Sequence, residues 1–346
     1  AEYNNNYKLL LIVSFMSNFF NDTLKDSESL FVDEDALDPE YIPLKIPFRE
    51  NEQQYIADSI KPLLQKRAGK NLLITGSPGI GKTLAVKHVL REMEEKGIDE
   101  ETYPFYINCW QKDSAHKIIL DMCEQLKYRF TMNKTTEQLV SEISKIINKK
   151  SSVIVLDEAD HLSIESSSIL YSLLENISKK SIFLVTNNKE FLAKLDARIR
   201  SRLTPEMLEF RPYNLNETNE ILKQRVQYAF VPGIFNEEAI KDIAEKTYQI
   251  ADIRTGIFLL RESGNIAERK LQRKITQEHT KQAIERLAEV KSENQEEAIE
   301  EQNKLIELLK QNPGKSIKEI HRIYDPQLSY RTFLRKVKKL EEDKKE

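Results

Sequence analysis

The chain has 346 residues, of which 40% are apolar and 32% charged, and this composition indicates a soluble, helix-rich globular protein of two or three domains. Its 53 basic and 56 acidic residues give a net charge of −3. Overall charge therefore does not indicate a nucleic-acid partner, and any such partner requires a local basic patch.

Two cysteines occur in the chain, Cys109 and Cys123. They do not have the spacing of a metal site, and they imply no disulfide framework. A reducing cytosol is the simplest compartment for such a chain, so a cytoplasmic location is predicted.

Residues 1–48 are predicted to form an N-terminal arm. The apolar run at residues 9–13 is too short to span a bilayer, so no membrane association is expected. Lys8 gives this run a weak likeness to a signal peptide, but no small-residue cleavage site is obvious. Met16 with Ser17 looks like a natural start, so residues 1–15 are interpreted as a leader or as mis-called upstream sequence.

Residues 33–47 are acidic and punctuated by prolines, which predicts an ordered arm rather than a helix or strand. A helix is predicted at residues 50–65, where apolar side chains recur on one face. A buried strand is predicted at residues 71–75, and another helix at residues 82–94.

A phosphate-binding motif lies between this strand and this helix. It has the pattern glycine, four free positions, glycine, lysine and threonine. It comprises Gly76, Ser77, Pro78, Gly79, Ile80, Gly81, Lys82 and Thr83. Glycines let backbone N–H groups point at phosphate oxygens, and the start of the helix favours an anion. We therefore predict that ATP or ADP binds here, with Lys82 on the β- and γ-phosphates and Thr83 on Mg²⁺.

An acidic strand end completes the predicted nucleotide site. Residues 153–156 are all apolar, and Asp157 and Glu158 follow them directly. Asp157 is expected to hold the Mg²⁺ shell together with Thr83, and Glu158 to orient and deprotonate the attacking water. Strands often end in acids, but here a phosphate-binding motif precedes the strand at the distance expected within one domain.

Apolar strands alternate with helices up to residue 210, which predicts a parallel sheet covered on both faces. The fold class is therefore α/β, with a three-layer phosphate-loop ATPase core at residues 49–212. Beyond Pro212 the pattern is wholly helical and predicts a lid at residues 213–291. Residues 292–301 are polar and acidic, which predicts a linker or an extension of the preceding helix.

Two polar segments follow the strand predicted at residues 182–186. Either Asn187 or Asn188 is expected to bridge the attacking water and the γ-phosphate, although such a pair is also ordinary turn chemistry. Arg198, Arg200 and Arg202 lie where ring-forming ATPases project charge onto a neighbour's nucleotide. A solvated basic turn is the alternative for these arginines.

The C-terminal module, residues 292–346, is predicted to contain a helix-turn-helix at residues 315–341. Ser329 is expected to cap the second helix, whose inward positions are Tyr330, Phe333, Leu334, Val337 and Leu340. Its other face is basic and comprises Arg331, Arg335, Lys336, Lys338 and Lys339. Such a face is typical of a recognition helix in the DNA major groove, and a solvated helix pair is the alternative. Residues 341–346 do not predict the β-hairpin of a wing, so a partial winged helix is expected.

Taken together, these motifs resemble those of the archaeal origin-recognition-complex-type replication initiators, a cell-division-control and origin-recognition branch of the AAA+ ATPases. The resemblance runs from about residue 38 to the C-terminus. Besides the two nucleotide motifs, the matching blocks are residues 47–50, 195–203, 210–214, 251–254 and 259–268. The nucleotide motifs identify only the superfamily, whereas the later blocks, in this order, indicate initiators.

The resemblance implies roles for further residues. Arg254 looks like the lid arginine that senses the γ-phosphate, and Tyr213 and Arg225 match positions that contact ATP from the hinge and the first lid helix. Arg202 looks like the finger that acts on a neighbouring subunit, with Arg198 as the second candidate.

The resemblance also places an extra DNA-contacting helix at residues 108–113. Trp110 and Lys112 are the candidates there, although burial of Trp110 in the core is an equal alternative. Gly256 departs from the family pattern, which prefers a bulkier residue, and a glycine weakens a helix by up to about 1 kcal/mol.

The predicted function is ATP-dependent binding of duplex DNA at a replication origin, with slow hydrolysis as a switch. The partners implied are a paralogous initiator or a second copy on DNA, and a replicative helicase, in a nucleoid-associated location. Two alternatives are another AAA+ ATPase, such as a clamp-loader-like protein or transposition helper, and a nucleotide-bound DNA-binding regulator that barely hydrolyses ATP.

Overall fold

The computed structural model describes residues 29–163, 166–312, 315–325 and 328–342. Within its helices, it does not describe the side chains at positions 290–291, 293–301, 331, 335, 338–339 and 341–342. The possible leader at residues 1–15 lies outside the described residues, as do residues 326–327 of the predicted turn. The chain divides into two compact units between Thr280 and Lys281.

One parallel sheet lies at the centre of the first unit. Among the described residues its strands are β1 Leu72–Thr75, β2 Thr102–Asn108, β3 Ser151–Asp157, β4 Lys180–Thr186 and β5 Glu206–Glu209. Their spatial order is β2-β3-β4-β1-β5, and every neighbouring pair is parallel. The carboxyl ends of all these strands therefore lie at one edge of the sheet. The predicted α/β class and parallel sheet are confirmed.

Helices cover both faces of the sheet. They are α1 Glu50–Leu64, α2 Lys82–Glu95, α3 Ala115–Gln125, α4 Thr136–Ile147, α5 Ser168–Asn176, α6 Phe191–Lys194 and α7 Ala197–Leu203. Val153 and Val155 of β3 pack in a cluster with α1 and α2, whereas Ile154 and Leu156 pack in a second cluster with α3, α4 and α5. Successive side chains of a strand point to opposite faces, so the wholly apolar β3 contributes to both clusters. This confirms the predicted three layers.

The described part of the arm is ordered against both the core and the lid. It contains one short 3-10 helix, Glu34–Leu37. The Arg91 guanidinium of α2 donates to the carbonyl oxygens of Ile42 and Pro43 at 2.9 and 3.0 Å. The arm thus follows the surface of α2 toward the phosphate-binding loop.

Three lid helices follow the sheet. They are α8 Leu215–Ala229, α9 Glu237–Ile250 and α10 Ile253–Arg269. Gly256 of α10 lies at a close contact with both other helices. A Cβ atom added there would lie 2.6 Å from Thr247 Oγ1 and 2.8 Å from Leu222 Cδ2. Glycine at this position therefore permits the three lid helices to pack closely. Helix propensity alone, which disfavours glycine, does not explain why it occurs here.

Helix α11, Gln277–Gln311, begins in the first unit and continues into the second. Its backbone is helical throughout residues 292–301, so the extension, rather than the linker, is the correct alternative for that segment. No helix among the described residues combines the length and the apolar character needed to cross a membrane.

The second unit also contains α12 Ile317–Tyr324 and α13 Tyr330–Glu342, close to the predicted helix pair. Its apolar cluster comprises Leu305, Ile320, Phe333, Val337 and Leu340. The Ser329 hydroxyl accepts a hydrogen bond from Thr332 N at 3.1 Å, which confirms the predicted cap.

Replacing Gly256 with alanine is expected to lower the free energy of unfolding by about 1–2 kcal/mol. Overpacking typically costs about 1–3 kcal/mol, and two contacts shorter than 3 Å place this site in the upper part of that range, above the ~1 kcal/mol that alanine gains in helix propensity. Urea unfolding measures the difference. A Gly256→Ala/Thr247→Ala variant, in which the contacting side chain is shortened, is expected to recover part of the loss. An alanine variant as stable as the wild type would show that α10 is not tightly packed at this point.

Candidate nucleotide-binding site

The phosphate-binding loop joins β1 to α2 and lies directly under the lid. Gly81 caps α2 with a φ of 89°, a left-handed conformation that favours glycine. A Cβ atom added at Gly79 would lie 1.9 Å from Asp252 Oδ1. The Ile253 amide also donates to the Gly79 carbonyl oxygen at 3.2 Å. The first turn of α10 is therefore in contact with the loop.

Lys82 is held inside this loop by three acceptors. Its ammonium group donates to the carbonyl oxygens of Gly76 and Ser77, both at 2.8 Å, and to Asn187 Oδ1 at 2.7 Å. Burial lowers the pKa of Lys82, while the nearby carboxylates of Glu158 and Asp157 act to raise it. The lysine is thus fixed where β1, β4 and α2 meet.

Thr83 and Asp157 form the second part of the site. The Thr83 hydroxyl donates to Asp157 Oδ2 at 2.7 Å, and the Tyr106 hydroxyl donates to the same oxygen at 2.6 Å. The Glu158 amide donates to Asp157 Oδ1 at 2.9 Å. Three donors therefore compensate the burial of Asp157, which is 2% exposed. A hydroxyl and a carboxylate side by side are the oxygen donors that suit Mg²⁺.

Glu158 follows Asp157 and contacts the neighbouring strand end. Asn187 Nδ2 donates to Glu158 Oε2 at 3.1 Å, while its Oδ1 accepts from Lys82. Burial raises the pKa of Glu158, and the nearby carboxylates of Asp157 and Asp160 raise it further. A raised pKa suits a general base because it strengthens the affinity for the abstracted proton.

The structure distinguishes the two candidate asparagines. Asn187 connects Lys82 to Glu158, whereas Asn188 Oδ1 accepts from Glu190 N at 2.8 Å and so stabilises a turn. Spacing could not separate them because adjacent residues have the same sequence context.

A cavity of about 570 Å³ adjoins the loop, a volume within the usual range for a small-molecule site. Tyr213, Arg225 and Arg254 all line it, as do Pro43 and Ile46 of the arm. The structure therefore brings the three predicted lid contacts to one place, together with arm residues that the sequence did not single out.

The two arginines of this group have different partners. Arg225 is buried and donates to the Ala36 carbonyl oxygen at 3.0 Å, so it fastens the arm to the lid. Arg254 forms an ion pair with Asp252 at 2.9 Å and faces the cavity from the first turn of α10. Asp252 also caps this helix by accepting from Arg254 N at 2.9 Å.

Arg49 is a buried residue that sequence reasoning did not assign to the site. Its side chain is fully buried, and it donates to the Ile80 carbonyl oxygen at 3.1 Å and to the Arg211 carbonyl oxygen at 2.6 Å. Its guanidinium carbon lies 3.9 Å from the centre of the Tyr213 ring. In the sequence, Arg49 was marked only as part of residues 47–50, one of the blocks that carry the family resemblance. Arg49 thus connects the loop to the hinge between core and lid.

The three predicted rim arginines all lie on α7 and are exposed. Arg202 lies 3.8 Å from Glu175 Oε1 and 4.8 Å from the centre of the Tyr171 ring. Arg198, Arg200 and Arg202 are not among the residues that line the described cavity.

The expected helix at residues 108–113 is absent from this described segment, which forms a turn between β2 and α3. Asn108 Oδ1 accepts from Trp110 N at 2.9 Å, a turn bond that competes with helix formation. Trp110 is 65% exposed, so core burial is also wrong, and its ring lies 4.2 Å from that of His161 at the cavity rim. Lys112 pairs with Asp121 at 2.9 Å.

An exposed loop that the sequence did not single out connects α3 to α4. Phe130 is 76% exposed and Met132 is 86% exposed. Lys127 and Arg129, also exposed, lie beside them. Exposed apolar side chains among cations are typical of a nucleic-acid or protein contact surface.

The side chains of Arg331, Arg335, Lys338 and Lys339 lie outside those that the structure describes, so their DNA contacts stay a prediction. Lys336 is half-buried, and its ammonium lies 5.9 Å from the centre of the Tyr324 ring. Lys336 is therefore directed toward α12, at the margin of the predicted basic face.

Comparison with known proteins gives two family matches. A family described as an AAA domain matches residues 65–195, and a family described as a Cdc6 AAA+ ATPase-type lid domain matches residues 219–285. The first match covers the central sheet and the loop, and the second covers most of the lid.

Curated relatives extend these matches. The chain is similar to the ORC1-type DNA replication protein 1 of Sulfurisphaera tokodaii, with 35% identity over 73% of this chain and 66% of that protein. The Archaeoglobus fulgidus protein of the same name is 32% identical over 77% of this chain and 68% of its own length. The ORC1-type DNA replication protein 2 of Methanosarcina mazei is 31% identical over 77% of this chain and 74% of that protein. The chain spans about two thirds of the length of the first two relatives.

Solved structures share the fold. The Aeropyrum pernix ORC1 protein in complex with DNA has a TM-score of 0.73 and 24% identity, over 91% of this chain and 88% of that one. Cdc6p from Pyrobaculum aerophilum has a TM-score of 0.66 and 19% identity, over 91% of both chains. At these identities the likeness supports the architecture alone.

Replacing Arg49 with lysine is expected to weaken nucleotide binding about tenfold or more. Lysine keeps the charge but lacks the planar fork that reaches Ile80 and Arg211 together. Arg49→Met removes the charge as well and is expected to lower the free energy of unfolding by about 3–5 kcal/mol, because Glu52 then loses its partner. Calorimetric titration with ADP and urea unfolding measure the two effects. Unchanged ADP affinity in a folded Arg49→Lys protein would contradict a role in shaping the loop.

Proposed function

Because the chain belongs to the ORC1-type DNA replication proteins and is an AAA+ ATPase by its core and lid domains, we propose that it recognises replication-origin DNA under the control of bound ATP. The observation that carries the proposal is the contact between lid and loop, through Gly79, Asp252 and Ile253. A nucleotide bound at the loop would contact the first turn of α10. Binding of its phosphates and the position of the lid would therefore depend on each other.

Mg²⁺ fits the donor set, and Thr83 and Asp157 are the residues that would hold it. When bound, the ion neutralises charge that develops on the transferred phosphate. Glu158 is proposed to orient the attacking water and accept its proton. Asn187 is proposed to fix the positions of Glu158 and Lys82 relative to each other through its hydrogen bonds to both. Lys82 is proposed to bind the β- and γ-phosphate oxygens.

Arg254 is proposed to report the state of the nucleotide to the lid. It lines the cavity from α10, and its ion pair with Asp252 holds its side chain over the first turn. A γ-phosphate would offer a second anionic partner, and hydrolysis would remove it. Because the loop and α10 are in contact, the switch can act through a small displacement of the lid.

The proposed partners are duplex DNA and other initiator subunits. The relatives that show the family are named DNA replication proteins, which supports a DNA partner for this chain. Arg202, or else Arg198, is proposed to act on the nucleotide of a second copy or a paralogue. A replicative helicase is a proposed partner on the family resemblance alone.

Two surfaces are proposed to contact DNA. One is the basic face of α13, which includes Arg335 and Lys339. The other is the loop with Phe130 and Met132, whose exposed apolar side chains are flanked by Lys127 and Arg129. Local basic patches are required because the whole chain is net acidic.

Lys82→Ala is expected to abolish tight nucleotide binding, and Glu158→Gln is expected to retain ATP but stop hydrolysis. Footprinting on the host genome's DNA should then show an ATP-dependent pattern that persists in Glu158→Gln and disappears in Lys82→Ala. Phosphate release and nucleotide titrations are measured alongside. Glu190→Gln is the matched control, since it removes an exposed carboxylate near the same sheet edge. Normal hydrolysis by Glu158→Gln would refute the catalytic assignment, and identical footprints with ATP and ADP would refute the switch.

Changing Arg335 and Lys339 together to alanine is expected to weaken DNA binding and to flatten its salt dependence. Each lost phosphate contact lowers the slope of log affinity against log salt by roughly 0.9, so the loss of both contacts is expected to lower the slope by about two units. Salt titrations of DNA affinity measure it, with thermal melts as a check of folding. The control is Arg67→Ala/Lys241→Ala, which removes the same charges from exposed positions of the first unit. An unchanged slope in the folded variant would exclude this face of α13 from the interface.

A further inference from the structure

Tyr106 makes a contact at the nucleotide site that the proposed reaction leaves unused. It lies on β2, the strand next to β3, and its hydroxyl donates to Asp157 Oδ2 at 2.6 Å. That oxygen also accepts from Thr83 at 2.7 Å, and Asp157 Oδ1 accepts from Glu158 N at 2.9 Å. Both oxygens of the carboxylate are therefore held, and Tyr106 is the donor from outside the two nucleotide motifs.

The surroundings of Tyr106 keep its hydroxyl in this position. The ring packs against the apolar cluster under α1 and α2, and the Lys87 ammonium lies 5.0 Å from its centre. The 2.6 Å distance from the Tyr106 hydroxyl to Asp157 Oδ2 fits a hydrogen bond from a phenol to a carboxylate. Lys87 also pairs with Glu40 at 2.5 Å, so the arm holds the lysine that covers the ring.

We propose that Tyr106 is a positioning residue for the Mg²⁺ site. Its hydroxyl holds the Asp157 carboxylate in the orientation that faces Thr83. The proposal rests on the proposed function, in which Thr83 and Asp157 are the metal-holding pair. Thr83 belongs to that pair, so it cannot be the independent support of Asp157. Tyr106 provides this support from a neighbouring strand, as hydrogen-bond partners of metal ligands commonly do.

The test is Tyr106→Phe, which removes one oxygen atom and keeps the ring. Binding of a fluorescent ATP analogue is measured across a Mg²⁺ titration and in EDTA, and Mn²⁺ bound by the protein–nucleotide complex is counted by electron paramagnetic resonance. The Mg²⁺ concentration for half-maximal binding is expected to rise about tenfold, the lower end of the effect of such partners. Affinity in EDTA is expected to stay unchanged, and the melting temperature of the protein alone to fall only slightly, because Asp157 keeps two of its three donors.

Tyr103→Phe is the matched control. Tyr103 lies on the same strand, and it packs against the other apolar cluster, on the far face of the sheet. This variant loses the same atom at a distance from Asp157, so its Mg²⁺ dependence is expected to equal that of the wild type.

A double-mutant cycle with Asp157→Asn tests whether Tyr106 acts through the carboxylate. Tyr106→Phe is expected to have no further effect on Mn²⁺ or Mg²⁺ binding once Asp157 is changed. Equal Mg²⁺ dependence in Tyr106→Phe and wild type would overturn the inference, as would an equal loss of affinity with Mg²⁺ and in EDTA, which indicates general structural damage. If the wild type binds nucleotide equally well with and without Mg²⁺, the proposed metal site itself is wrong, and this result is distinct from the other two.

Discussion

The hydrogen bond between Thr83 and Asp157 is the interaction on which the nucleotide site depends. It joins residues 74 positions apart, one at the start of α2 and the other at the end of β3. The strand that leads to Thr83 through the loop is β1, and β4 separates it from β3 in the sheet. The bond forms only because a parallel sheet brings its carboxyl ends to one edge, and the same alignment brings Asn187 from β4 between Lys82 and Glu158.

Buried cations organise the region around this edge. Arg49 binds carbonyl oxygens of the loop and the hinge, and Arg225 binds the Ala36 carbonyl oxygen of the arm. A buried guanidinium is costly unless its donors are satisfied; carbonyl oxygens accept from both arginines, and Arg49 also pairs with Glu52 at 3.0 Å. The loop, hinge, arm and lid are therefore connected by contacts whose loss would leave polar groups unpaired.

Close approach of backbone segments is the other constraint on the site. Gly79 admits Asp252 of the lid, and Gly256 admits Thr247 and Leu222 within the lid. At both positions a methyl group would meet an atom nearer than van der Waals contact allows. The glycine that departs from the family pattern is thus explained by packing against α8 and α9, even though it lowers the propensity of α10 for helix. The contact at Gly79 makes the lid position sensitive to the loop.

The sequence alone determined the features that depend on local patterns. Phosphate binding requires glycines, a lysine and a threonine at fixed spacing, so residues 76–83 identified the loop, and the apolar run before Asp157 predicted β3. Only the tertiary structure decided which of Asn187 and Asn188 enters the site, and that Tyr106 and Arg49 support it. It also placed Trp110 on an exposed turn at the cavity rim. Those outcomes depend on which distant strands and helices become neighbours, and no short stretch of sequence carries that information.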